Sequence, residues 1–144
     1  MNAVAHLQSR LGAAVPEAPL RLLLRLAIAT PFFLSGRTKV DGLLTVSAST
    51  FYLFREEYRV PLLAADLAAY LATYAEHLLP LLIVLGLFTR TAAAGLLLMT
   101  LVIQLFVVPG GWPTHLLWSA PLVFLIARGP GAISLDRLLG LERA

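Results

Sequence analysis

The feature that leaves this chain fewest options is a set of four long apolar runs, beginning near Leu20, Leu63, Thr91 and Trp112. A helix needs about 20 apolar residues, within a range of about 17–25, to cross the hydrocarbon of a bilayer. Lipid offers nothing to bond a bare backbone N–H or C=O, so a helix is the form such runs must take there. The second and third runs, about 63–88 and 91–108, meet that length outright. The first and fourth, about 20–39 and 112–128, carry shorter apolar stretches and need tilt or local bilayer thinning. Only 13% of the 144 residues are charged and 59% are hydrophobic, whereas a soluble domain carries about 25% charged residues. A core of this size cannot hide that much apolar surface from water. The reading is an all-α integral membrane four-helix bundle, formed by a single domain over 1–144.

The connections set the packing order. Thr89-Arg90 joins the second and third runs, and Pro109-Gly110-Gly111 joins the third and fourth. Both links are tight, so both pairs are expected to be antiparallel neighbours. Between the first and second runs lies 40–61, whose TFYLFREEYRV portion predicts a short amphipathic segment on the bundle mouth. After the fourth run, Gly129-Pro130-Gly131 breaks the helix. Leu135, Leu138 and Leu139 would then share one face of an interfacial C-terminal segment, with Asp136, Arg137 and Glu142 elsewhere. No internal repeat is visible, which disfavours an inverted-repeat transporter. The residues before Leu20 contain no apolar signal core, so no cleaved signal is expected.

The net charge of +3 is scattered between apolar runs without a basic aromatic patch, which speaks for membrane orientation and against nucleic acid. Arg10, Arg21, Arg25, Arg90, Arg128, Arg137 and Arg143 fall on one side of the bundle; Arg37, Lys39, Arg55 and Arg59 fall on the other. The positive-inside rule then places both termini and Arg90 in the cytoplasm. Arg21 and Arg25, one turn apart, are expected to snorkel to lipid phosphates. The chain has no cysteine, which excludes disulfides, thiol redox chemistry and cysteine-ligated clusters.

Polar residues inside such helices are costly, so each requires an account. On the second run Asp66, Tyr70, Thr73 and His77 follow helical spacing along one face, with Glu76 beside that stripe. Pro80 cannot donate to the carbonyl of Glu76, so a kink is expected at this mid-membrane carboxylate. Arg37, Lys39, Thr100, Gln104, His115 and Ser119 fall in the same half of the membrane, leaving the other half almost purely Leu, Val, Ile and Ala. Two accounts stay open. One is an outward-facing polar pocket lined by Glu76, Lys39, Arg37, Tyr70, Thr73, Gln104 and His115, able to hold a small polar ligand, a quinone head group, an ion or a metal. The other is structural, with Glu76 paired to Arg37 or Lys39 and the remaining groups bonding across helices. His77 and His115 are candidate metal or haem ligands but lack a third. Trp112 and Trp118 read as interface anchor and packing. There is no phosphate-binding glycine loop, no G-x-S-x-G elbow and no H-E-x-x-H motif, so no reaction is identified.

Three stretches together resemble a known family. They are Phe33-Leu34-Ser35-Gly36-Arg37-Thr38-Lys39, the segment from Tyr74-Ala75-Glu76-His77 through Gly86-Leu87-Phe88-Thr89-Arg90, and Arg128-Gly129-Pro130-Gly131-Ala132-Ile133-Ser134-Leu135-Asp136. They are similar to the Gly-x-x-Lys element, the glutamate helix with its Gly-Leu-x-Thr-Arg turn, and the tail of the DoxX family of small bacterial membrane proteins. The resemblance covers about 22–139. It implies a multi-pass four-helix bundle in the bacterial inner membrane, with Gly36, Lys39, Glu76 and Arg90 as positions of interest. The family takes its name from a thiosulfate:quinone oxidoreductase, and some members are linked to oxidoreductase or oxidative-stress complexes. The expected role is therefore an auxiliary subunit of a redox or stress-response system, not an enzyme on its own and at most an oxidoreductase subunit. Other membrane or redox proteins, or a second copy of the chain, would be its partners in the lipid bilayer. The alternatives are a small transporter or metal-handling protein using Glu76, His77 and His115, and a purely structural membrane partner.

Overall fold

A computed structural model describes residues 3–58 and 60–142. Arg59 and Arg143, counted above for orientation, lie outside the described residues. The chain opens with an exposed helix, α1 (Ala3–Ala14), which the apolar runs did not announce. Extended Pro16 then starts α2 (Glu17–Arg37), a few residues before the apolar run. Glu17 sits in its first turn and pairs with Arg21 one turn on, a placement that suits the positive end of the helix dipole.

Between the first two long helices, the expected amphipathic segment is α3 (Ala48–Glu56), capped by the Ser47 hydroxyl, which accepts from the Thr50 N–H at 3.2 Å. A small antiparallel hairpin, β1 (Val40–Asp41) and β2 (Thr45–Val46), precedes it and pairs Val40 with Val46. Next come α4 (Ala65–Leu85), α5 (Thr89–Val102) and α6 (Trp112–Arg128), with the short α7 (Leu135–Leu138) in the tail. Gly86, at φ 68°, ends α4 in the left-handed conformation that suits glycine after a helix. Beyond Val102 the third long helix loosens into a π-helical stretch, Ile103–Val107.

The four long helices pack in a ring: α2 on α4, α4 on α5, α5 on α6, and α6 back on α2. Ile28, Phe32, Ile83, Leu96, Leu122 and Leu125 form its dry centre. A smaller cluster, Phe54 with Ala68 and Ala69, seats α3 against α4. Outside, large apolar side chains stand exposed, Leu117 at 75% and Leu23 at 64% among them, as lipid-facing surfaces require. Helix α2, helix α4 and the stretch Thr89–Val107 are long and apolar enough to cross a membrane; α6 has 17 residues.

The inward face of α4 differs from the expected stripe. Ala68, Ala69, Thr73, Glu76, Pro80 and Ile83 are the buried set, all but Ala68 spaced along one helical face. Asp66 and Tyr70 fall off that face, and only Thr73 is shared with the predicted row. Packing against α2 chose the face containing Glu76, the one carboxylate with a cation across the interface.

A second correction concerns Arg25, expected to snorkel. It is 1% exposed, and its Nη2 donates to the Ile133 carbonyl at 2.5 Å. The tail folds back over the end of the bundle and covers it, so this guanidinium meets protein where lipid phosphate was expected. The end of the bundle holding Arg90 is therefore not purely apolar. In the tail itself, Leu138 and Leu139 are exposed while Asp136 is buried. Its carboxylate accepts from the N–H groups of Phe88 and Thr89 at 2.7 and 2.9 Å, capping α5 from the far end of the chain.

Candidate functional site

The last turns of α2 and the middle of α4 make a buried ion pair in the bundle. Lys39 lies just past the end of α2, where the Thr38 N–H reaches back to Leu34 and Ser35. Its Nζ donates to Glu76 Oε2 at 2.6 Å, to Ser35 Oγ at 2.9 Å and to the Ser35 carbonyl at 3.3 Å. An ammonium has three hydrogens to give, and here each has an acceptor. Glu76 is 3% exposed; a buried carboxylate with no cation would be far costlier than this pair. The approach depends on Gly36, where a Cβ would come within 2.9 Å of His77 Nδ1 and 3.1 Å of Glu76 Cβ. A glycine here lets α2 and α4 come close enough for the ion pair to form.

Across the bundle, the π-helical stretch builds the second polar contact. Its extra residue per turn leaves Gln104 buried, with Nε2 donating to the Pro109 carbonyl at 2.5 Å. Gln104 Oε1 then faces His115 Nδ1 at 2.6 Å. An amide oxygen only accepts, so Nδ1 carries a proton, and of the two uncharged tautomers the bond selects the one with Nε2 as an acceptor. The His115 ring lies on Gly111, where no Cβ would fit, and against Trp118 at 5.3 Å between centroids. Trp118 in turn packs on Phe32 at 5.1 Å. Non-standard helical turns of this kind recur where a side chain must be re-aimed.

A cavity of about 430 Å³ lies between the two contacts. Ser35, Lys39, Tyr58, Glu76 and His115 supply its polar groups; Leu71, Leu98, Met99, Val102 and Val107 are among its apolar walls. Burial, and then the charges of Glu57 and Glu76, push the Tyr58 phenol above its ordinary value, so it is a hydrogen-bond donor at neutral pH. The space thus offers a phenol donor, an imidazole acceptor and a fixed ion pair within a mostly apolar slot.

Among the residues singled out from sequence, Glu76, Lys39 and His115 line this cavity, and Gln104 stands one hydrogen bond behind it. The others go elsewhere. Arg37 is not the countercharge of Glu76: it donates to the carbonyls of Leu43 and Gly42 at 2.5 and 2.7 Å, bracing the hairpin turn. Tyr70 is 44% exposed and packs on Phe51 and Tyr74. Thr73 donates to the Ala69 carbonyl, as Thr100 does to Leu96 and Ser119 to His115. These hydroxyls are satisfied within their own helices, which is why membrane helices tolerate them. Asp66 takes a bidentate pair of bonds from Arg55, both 2.6 Å, tying α3 to α4. His77 Nδ1 is bonded to the Thr73 carbonyl at 2.7 Å, and its buried Nε2 has no partner among the described residues. Among the described residues, no three His, Asp or Glu side chains converge as a metal would need.

Sequence reasoning did not single out Ser35 or Tyr58, and it read Trp118 as packing, whereas all three line the cavity. Ser35 is one turn before Lys39, a spacing that could have paired them. Tyr58 comes from a loop, and no periodicity points a loop side chain anywhere.

No solved structure matches the chain. An uncharacterized protein of Haemophilus influenzae is 29% identical over 128 residues, covering 82% of each chain. The model of the DoxX family matches residues 20–109, from α2 through the end of the π-helical stretch, with α6 and the tail beyond the matched part. The match takes in Gly36, Lys39, Glu76 and Arg90, and by it this chain belongs to the DoxX family.

Proposed function

We propose that this small membrane protein is an auxiliary subunit of a membrane redox or stress-response system, binding a quinone-type molecule in the cavity between Lys39–Glu76 and His115. The observation that carries the reading is the pairing of polar groups with an apolar slot in one cavity. A quinone ring needs a donor for a carbonyl in the oxidised state and an acceptor for a hydroxyl in the reduced state. Tyr58 offers the first, and His115 Nε2 and the Glu76 carboxylate offer the second. The apolar wall from Leu98 to Val107 suits an isoprenoid tail.

The same reading takes the chain as one domain with four crossing helices, α6 included, in a bacterial inner membrane with both termini cytoplasmic. Tilt would let the 17 residues of α6 suffice.

Trp118 lines the cavity and the only other tryptophan is Trp112, so fluorescence can test the binding. In a Trp112→Phe variant, a short-chain quinone should quench Trp118 emission saturably. His115→Leu should weaken that binding by about tenfold, the loss of one good hydrogen bond to a buried ligand group. Quenching that rises linearly without saturation, or that is unchanged in His115→Leu, would mean simple partitioning into the membrane and would end the proposal.

A further inference from the structure

A second cavity, of about 540 Å³, opens at the opposite end of the bundle, and nothing in the quinone reading uses it. It forms where the first turns of α2 and α5, the end of α6 and the tail meet. Four guanidinium groups line it, those of Arg21, Arg90, Arg128 and Arg137, against two carboxylates, Glu17 and Glu142.

The two carboxylates are already engaged. Glu17 pairs with Arg21, and Glu142 pairs with Arg90 at 2.5 Å. The same two arginines also cover the carbonyl end of α6: Arg21 donates to the Arg128 carbonyl at 2.5 Å, and Arg90 to those of Ile126 and Ala127 at 2.5 and 3.1 Å. A helix C-terminus repels anions, so this cover matters for what the cavity can accept. Arg128 and Arg137 are different. Both are exposed, and among the described residues neither has a carboxylate within ion-pair distance. The cavity therefore carries two arginine charges more than its acids balance, in a recess floored by Ala18, Ala127, Gly131 and Ala132.

Guanidinium groups meet phosphate oxygens with two parallel N–H donors, which a lone lysine cannot do. The location adds a source. Ile133, Leu138 and Leu139 of the same tail are 50%, 80% and 63% exposed, an apolar fringe suited to acyl chains beside a basic recess. We propose that this cavity is a phosphate site, held by Arg128 and Arg137 and filled by the headgroup of an anionic phospholipid. A free phosphate ion presents the same oxygens, so the test separates the two sources.

The full chain, purified in a neutral detergent, is melted with added phosphatidylglycerol, with phosphatidylcholine, and with millimolar inorganic phosphate. Phosphatidylglycerol should raise Tm in a saturable manner that fades with salt, and phosphatidylcholine should not. The double variant Arg128→Gln/Arg137→Gln should lose about tenfold or more in apparent affinity, two charge-assisted contacts being removed. Arg10→Gln, which removes a charge from α1, should keep the full response. Because Arg128 and Arg137 bond no carboxylate among the described residues, the double variant should melt without ligand like the parent; helix content by circular dichroism checks this. An equal response to inorganic phosphate, abolished in the double variant, would retain the phosphate site and overturn the lipid as its source. Equal responses of parent and double variant to phosphatidylglycerol, or equal responses of the parent to both lipids, would overturn the site. If the double variant fails to fold, Arg128→Lys/Arg137→Lys replaces it: a lipid response undiminished in that variant would also overturn arginine recognition.

Discussion

At the scale of single residues, the protein depends on charges that are largely buried. Glu76 is held by Lys39 at 2.6 Å, with Ser35 taking the remaining ammonium hydrogens. Lys39→Met leaves that carboxylate buried without a cation and should cost about 3–5 kcal/mol of stability. The double variant Lys39→Met/Glu76→Met removes both charges and should be milder than Lys39→Met alone. Unfolding in detergent for the two singles and the double gives the coupling; additive costs would show that the pair contributes no interaction of its own. A comparable dependence exists at the other end. Asp136→Asn keeps the shape but removes the charge that caps α5, and should lower stability by about 1–2 kcal/mol. An unchanged Tm would show that the tail does not hold the α4–α5 turn through this carboxylate.

At the scale of elements, the α2–α4 contact is where the candidate site is made. Gly36 permits it, since a Cβ there would meet His77 and Glu76 at 2.9 and 3.1 Å. Gly36→Ala should push the helices apart and cost about 1–3 kcal/mol, the usual range for overpacking. It should also loosen the ion pair, so thermal melts of Gly36→Ala in the Lys39→Met background should show less than additive loss. The π-helical stretch at Ile103–Val107 does the matching task on α5, burying Gln104 and fixing the proton of His115 on Nδ1. Neither device could be anticipated from apolar spacing: a π-turn breaks the period on which such spacing is counted, and a close approach involves two helices.

At the scale of the whole molecule, the four long helices pack in a ring, three of them long and apolar enough to span a membrane. The proposed fourth crossing is the one to test. The chain has no native cysteine, so single cysteines report topology directly. Cysteines placed at Arg10 and Arg137 should react with an impermeant thiol reagent from one face of the membrane, and one placed at Arg55 from the other. Labelling of Arg10 and Arg137 positions from opposite faces would show an odd number of crossings and would remove α6 from the membrane.

The chain's own order of apolar runs and breaks determined a great deal. Length against bilayer thickness called for the long helices, and the tight links at Thr89-Arg90 and Pro109-Gly110-Gly111 made neighbours of α4, α5 and α6. Glu76, Lys39 and His115 stood out because ionisable groups among apolar residues need a reason. What only the tertiary structure decided was which partner each polar group found. Arg37 and Lys39 are two residues apart and equally able to serve Glu76 by charge, yet one braces a hairpin and the other enters the bundle. Arg25 met the returning tail where lipid was expected, and Asp136 capped a helix 47 residues before it. Helical periodicity describes one segment at a time, whereas these bonds join segments far apart in the chain. Charge and spacing said that the polar groups had to be paired; only packing said with what.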